Sequence, residues 1–424
     1  MNRRELLRGF GVGAAAALLP SAASAQAPGT PPPLPRPDTN LKITGVRVVR
    51  TRLRRPVPSY EPTPGSWSVT GVEVANPMSI YPKYKPQRSL FRPEPHVPPF
   101  TVEIETDKGI KGYGQGGPGG GPVVEGHLRR LLLGENALDL EKIWDILWRS
   151  TMEYGRKGLV MNAVSGVDNA LWDIAGKALG VPVYRLLGGE TKPRIPAYCT
   201  GNDIEQHVEF GYTKLKLALP HGPADGREGI RKNVELVKRA RAALGPEGEI
   251  MMDCWMALTE RYTIELCEAL EPYRVYWMEE CLIPEDYEGF GRLRQQIKST
   301  RIVTGEHEYT RYGFRRLLET NGAEIWQPDV KWCGGMTELR RIAALAATFD
   351  IPVIPHGGGQ RDAVHFILAT TNAPWAEMFM PAPGGPPVVY ERYQQDNNLT
   401  KGPEGIYTRP SEEPGFGWDF EVVG

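Results

Sequence analysis

EIMMDCWMALTERYTIELCEALEPYRVYWMEE, residues 249–280, decides the fold. It opens on an apolar, β-rich run that ends in Asp253, passes through a helical stretch, and returns to a second apolar run that ends in Glu279 and Glu280. A strand, a helix and a strand in close succession make one βα unit and the start of the next, and such units build parallel sheets. The pattern repeats on both sides. Upstream stand IPAYCTG and YTKLKLAL, downstream IVTGEHE, AEIWQPDV, PVIPHG and WAEMF, so that eight runs begin near residues 195, 212, 249, 274, 302, 323, 352 and 376. Eight parallel strands with helices between them close most naturally into a (β/α)8 barrel of the TIM type, an α/β fold whose chemistry sits at the C-terminal ends of the strands.

At those ends the apolar runs give way to charge: Lys214 and Lys216, Asp253, Glu279 with Glu280, Glu306 with His307, Asp329 and His356. Asp253, Glu279 and Glu306 follow one another on consecutive strands at spacings of 26 and 27 residues. Three carboxylates meeting in a half-buried cup repel, and a hard divalent cation with open positions removes that cost; oxygen ligands of this kind suit Mg2+. Glu279 rather than Glu280 is the expected ligand, because alternate strand residues face opposite ways and the 26-residue spacing favours it. Across the cup, His356 ends the seventh run and Asp329 lies 27 residues earlier, one βα unit back. An Asp that accepts from one imidazole nitrogen fixes the tautomer and leaves the other nitrogen as general base or acid. Lys216, on the second run, stands on the opposite side of the mouth from His356. Taken singly, each acid could be a solvated loop charge and the histidine a satisfied core residue; their recurrence at successive strand ends argues for a site.

Composition bounds the partners. The 424 residues are 41% hydrophobic and 24% charged, as in an ordinary globular protein, and Lys+Arg 50 against Asp+Glu 51 leaves a net charge of -1. No field of one sign invites nucleic acid or an anionic membrane. Residues 1–25 read as an address: Arg3-Arg4, an apolar run from Phe10 to Leu19, then Ala23-Ser24-Ala25. They resemble a twin-arginine export signal, which places the mature protein in the periplasm, and the apolar run is too short to span a bilayer. Residues 26–42 form a proline-rich linker. From Ile43 the pattern is strand-like, a hairpin turns at Asp107-Lys108-Gly109, and helical periodicity runs from Glu125 to Gly180. The loop Gly112 to Gly121 contains GxGxxG without the strand-loop-helix unit that dinucleotide binding needs. Five cysteines without a CxxC read as buried small hydrophobes rather than a disulfide framework.

The residues at the strand ends resemble the enolase superfamily, in its mandelate racemase-like branch. Asp253, Glu279 and Glu306 match the three metal ligands of that family, and Asp329 with His356 its catalytic dyad. VEIETDKGIKGYG (102–114) and SGVDNALWDIAGKALGVPVYRLLGG (165–189) look like its capping domain and the helix joining cap to barrel. The implied organisation is a capping domain over 43–190, a barrel over 191–380 and a C-terminal segment, 381–424, that packs back on the cap. KLALPHGP (216–223), MMDCWMAL, WMEECL, TGEHE, QPDVKWCGG, VIPHG and PGFG (414–417) are similar to the sugar-acid dehydratases of the branch, the rhamnonate dehydratases above all. The resemblance implies a Mg2+-dependent hydro-lyase that removes the proton alpha to a carboxylate and expels the 3-hydroxyl, giving a 2-keto-3-deoxy acid. Racemases or epimerases of the branch and a periplasmic sugar-acid binding protein stand as alternatives. Rhamnonate dehydratases reach the substrate with an arginine and a histidine from the capping loops. Arg88 matches the arginine, but no histidine precedes His96. Lys214 completes a KxK pair with Lys216 as in racemases, and HGGGQRDAVHF follows the base where HGSS-type sequences are usual. These departures point to a different sugar acid or stereochemical course. The site expected is therefore His356, Asp329, Lys216 and Lys214 for catalysis, Arg88, His307 and Trp255 for substrate, and the three carboxylates for metal. The expected partners are a small acid sugar and further copies of the chain, with no membrane once the leader is removed.

Overall fold

The computed structural model describes residues 39–66, 74–85 and 97–423. The leader, the linker up to residue 38, and Arg88 lie outside the described residues.

The N-terminal part is a small antiparallel sheet laid on a long helix. Strands β1 (Ile43–Val49), β3 (Phe100–Thr106) and β4 (Lys111–Gly116) pair in the order β1-β3-β4, while β2 (Thr51–Leu53) stands apart. The β3–β4 turn places Gly109 at φ +74, a left-handed conformation that glycine adopts without strain. One face of the sheet rests on the helix Leu159–Leu179, which is buried over most of its length and ends at Gly180 with φ +67. The glycines of β4 make that approach possible. A Cβ on Gly112 would lie 2.2 Å from the Ala170 carbonyl oxygen, and one on Gly114 2.1 Å from that of Gly166. Gly112 and Gly114 in this loop thus serve strand-to-helix contact.

Five consecutive strands of the barrel run parallel: β5 (Ile195–Thr200), β6 (Lys214–Ala218), β7 (Glu249–Asp253), β8 (Val275–Glu279) and β9 (Arg301–Val303). The sixth and seventh runs continue the ring through single parallel bridges, Thr304 to Trp326 and Trp326 to Val353, rather than as strands. Pro328, Pro352 and Pro355 interrupt them, and a proline has no N–H to give a ladder. β10 (Ala376–Met378) then pairs parallel with β5. Side chains on successive positions alternate between two buried environments, so these strands read as near-continuous apolar runs. Ile250 and Met252 face the surrounding helices, while Met251 joins Tyr198, Trp277, Val303, Ile325 and Ile354 in a cluster inside the ring. That cluster closes the barrel below its mouth.

Past the barrel, β11 (Thr400–Gly402) pairs with β12 (Gly405–Thr408), which adds antiparallel to β5. The last strand, β13 (Phe420–Val422), pairs antiparallel with β2. Among the described residues no helix is long and apolar enough to cross a membrane. All five cysteines are buried and unbridged.

Candidate active site

Register brings the acids together. Asp253 and Glu279 end neighbouring strands and are paired partners, with Ala218 opposite Asp253 on the other side. Glu279 is fully buried; its Oε1 accepts from Lys216 Nζ at 2.6 Å, and its Oε2 from Gln327 Nε2 at 2.7 Å and Trp277 Nε1 at 3.0 Å. Lys216 Nζ also lies 2.8 Å from Glu377 Oε1 and 3.9 Å from Asp253. Burial works against the ammonium, yet the carboxylates around it outweigh burial and hold Lys216 well above the usual lysine range. Burial also pushes the Glu279 and Glu306 carboxyls up, with neighbouring acids adding to the effect.

The alternation argument that set Glu280 aside is corrected by the backbone. Glu280 has φ +46, a left-handed conformation that turns it out of the strand pattern and into the mouth. It is buried, and its Oε2 lies 2.8 Å from His307 Nδ1 while Oε1 accepts from the His307 backbone N–H at 3.2 Å. One ligand atom each from Glu280, Glu306 and His307 lie within 4.8 Å of one another. Two acids with a positive neighbour each therefore flank the cup: Glu279 with Lys216, and Glu280 with His307. For His307, burial is overcome by Glu280 and Glu306, and its pKa rises to about 9.

His356 and Asp329 meet as the spacing predicted. His356 Nδ1 lies 2.7 Å from Asp329 Oδ2, and Nε2 lies 3.2 Å from Glu306 Oε1, with 16% of the side chain exposed to the mouth. Asp329 Oδ1 is held in turn by the backbone N–H of Lys331 at 2.6 Å. Burial opposes the imidazolium, but Glu306 and the hydrogen bond to Asp329 carry its pKa to about 10. Trp255, at φ +41, sets its ring 6.0 Å from that of His307.

One expected catalytic residue is elsewhere. Lys214 opens β6, and at a rise of about 3.3 Å per residue it sits about 13 Å below the strand end. Its Nζ donates to the Glu404 carbonyl at 3.3 Å and lies over the Trp375 ring, at the opposite end of the barrel. The KxK spacing puts both lysines on the inner face but at different depths. Conversely, Glu377 belongs to the site and was overlooked. It is fully buried on β10, takes the Thr200 hydroxyl and Lys216 on Oε1, and accepts the Gly357 N–H on Oε2 at 2.7 Å. Burial is outweighed by Lys216 and His356, and its pKa falls to about 2. The signal was a lone acid inside the apolar run WAEMF.

The donor set fits a hard cation: anionic oxygens gathered at one mouth, buried where ionisation is penalised unless positive charge is supplied. The chain belongs to the enolase superfamily. Residues 92–188 match the mandelate racemase / muconate lactonizing enzyme N-terminal domain, and residues 201–421 the enolase C-terminal domain-like family. More particularly, the chain is 43% identical over 349 residues to L-rhamnonate dehydratase of Saccharopolyspora erythraea, covering 81% of this chain and 88% of that protein. Two crystal structures of rhamnonate dehydratase from Gibberella zeae superimpose with a TM-score of 0.78. One is 35% identical and covers 92% of this chain and 95% of its own; the other, complexed with Mg, is 37% identical and covers 91% and 95%. The cofactor is Mg2+.

Proposed function

We propose that the protein is a Mg2+-dependent sugar-acid dehydratase, close to rhamnonate dehydratases, that removes the proton alpha to a carboxylate and expels the hydroxyl on the next carbon. The relatives support the dehydratase class. The observation that carries the stereochemical half of the reading is the pinning of Lys216, 1% exposed between Glu279 and Glu377. Epimerisation needs a second, free base facing His356, and an ammonium tied to two carboxylates is not one.

His356 would act as the base from its neutral form, which a cation on Glu306 would favour by offsetting the carboxylate that raises its pKa, with Asp329 fixing the ring so that Nε2 faces the mouth. The same imidazolium, or His307 beside it, returns the proton to the departing hydroxyl, so that atoms balance as a 2-keto-3-deoxy acid plus water. Asp253, Glu279 and Glu306 would hold the metal, and when bound it offsets the negative charge that develops on the substrate carboxylate as the alpha proton leaves. The apolar cluster below the mouth keeps water from the carboxylates' inner side.

The missing capping histidine leaves L-rhamnonate itself one candidate among several acids, with Arg88, by its match to the family's capping arginine, the candidate contact to the substrate. The test is a library of aldonic and aldaric acids with Mg2+, read by semicarbazide for 2-keto acids and by NMR for alpha-proton exchange in deuterated water. Keto-acid formation is expected; exchange or epimerisation of an acid without dehydration would overturn the reading. We further propose export through Arg3-Arg4, which an Arg3→Lys, Arg4→Lys double variant should abolish in cell fractionation.

A further inference from the structure

The sixth βα loop carries an aromatic ring that the mechanism has not used. Trp332 lies three residues past Asp329, and its ring centroid is 5.0 Å from that of His356 and 5.4 Å from that of His307, tilted by 41° and 43°. These imidazoles are held by carboxylates at their edges, His356 by Asp329 on Nδ1 with Glu306 3.2 Å from Nε2, and His307 by Glu280 on Nδ1. Contacts in the plane of a ring leave it free to rotate about the line through them; a contact against the face restrains that rotation. One indole supplies that contact to both.

The capping domain in turn fixes the indole. The Gly117 N–H donates to the Lys331 carbonyl at 3.0 Å and Lys331 Nζ donates to Gln115 Oε1 at 2.5 Å, while within the loop the Trp332 backbone N–H donates to the Asp329 carbonyl at 3.0 Å. Position 117 has no room for a side chain: a Cβ there would lie 2.4 Å from Trp332 Cδ1 and 2.8 Å from Nε1. The indole edge is seated on a bare stretch of cap backbone, in the same glycine-rich loop whose other glycines serve the long helix.

We propose that Trp332 is a positioning residue shared by the two histidines, and that Gly117 of the cap sets where its ring stands, so that the placement of the base depends on the seating of the capping domain. The inference rests on the dehydratase reading for its kinetic consequence, though not for its structural one.

The test uses the full Mg2+-loaded protein with ring-labelled histidine, in Trp332→Leu, Trp332→Phe and Gly117→Ala variants. In Trp332→Leu the His356 and His307 ring resonances should move, and kcat should fall about 100-fold with KM and Mg2+ affinity unchanged, the scale expected when a reacting group is misplaced by about 1 Å. Trp332→Phe, which keeps an aromatic face, should recover most of the rate. Gly117→Ala should lower kcat alone but add nothing in the Trp332→Leu background, since the ring it displaces is gone. Unmoved histidine resonances in Trp332→Leu, a rise in KM at parental kcat, or fully additive effects of the two substitutions would overturn the proposal. Should the parent dehydrate no acid, the functional reading fails by itself, and the resonances still decide the positioning role.

Discussion

Replacing Lys216 with methionine removes one charge while keeping a side chain of similar length. The structure shows what is then stranded: Glu279 and Glu377, both fully buried and 2.6 and 2.8 Å from the lost ammonium, with Asp253 3.9 Å away. Removing one partner of a buried ionic cluster costs about 3–5 kcal/mol, because the remaining charges lie where water cannot compensate them. With saturating Mg2+, Asp253 and Glu279 have another source of positive charge and Glu377 alone is left uncompensated, so the loss should shrink to about 2 kcal/mol or less. Urea unfolding followed by tryptophan fluorescence, once in EDTA and once in Mg2+, measures both values. If Lys216→Met is as stable as the parent in EDTA, the ammonium is not holding the cluster. If the loss is the same with and without Mg2+, Lys216 and the metal do not share Glu279, and the ligand assignment falls with the argument.

Glu279→Gln should abolish Mg2+ binding in calorimetry, while Glu280→Gln should retain the metal and release His307; the reverse pattern would make Glu280 the ligand. Asp329→Asn keeps the shape of the dyad but presents the wrong hydrogen-bonding pattern to the imidazole, and by analogy with hydrolase triads it should lower kcat by on the order of 10^3–10^4 without loss of metal. Acid should destabilise the fold through His207 and His365, which burial holds to pKa values of about 4 and about 3. A lowered folded-state pKa means that stability is full above about pH 6.5 and is lost as pH falls toward 4, by roughly 3 kcal/mol for His207 alone. Thermal melts across that window should show the decline, with a shallower slope in His207→Gln.

How much of this was legible follows from what kind of signal each feature leaves. The βα alternation survived into the fold because apolar runs with a charged terminus are dictated by burial in a parallel barrel. The Asp329–His356 pair was readable from a spacing of one unit, and so was the meeting of Asp253 with Glu279. Lys214 was misplaced because a period of two specifies a face and says nothing of depth. That Glu280 also enters the mouth was not legible, because its turn out of the strand, at φ +46, has no signature in residue type. Glu377 was passed over because a single acid in an apolar strand looks like an edge, and its three partners come from Lys216, Thr200 and Gly357, far off in the chain. The glycine loop was set aside as a dinucleotide motif for want of a strand-loop-helix unit, but its spacing did not say what the glycines serve instead, the close approach of a strand to a helix.

The pairing of β13 with β2 gives the chain an order of assembly. Arg52 bonds to Glu421, 369 residues later, and the two strands join antiparallel at Phe420 to Leu53. The 369 residues between that ion pair must therefore be made before β2 can receive its partner strand. Until then the edge of β2 stands open, and a partner molecule could supply the missing strand. Loss of β13 would leave the barrel's acids and histidines spelled out in full while baring β2, so a lesion near residue 420 would be felt near residue 52.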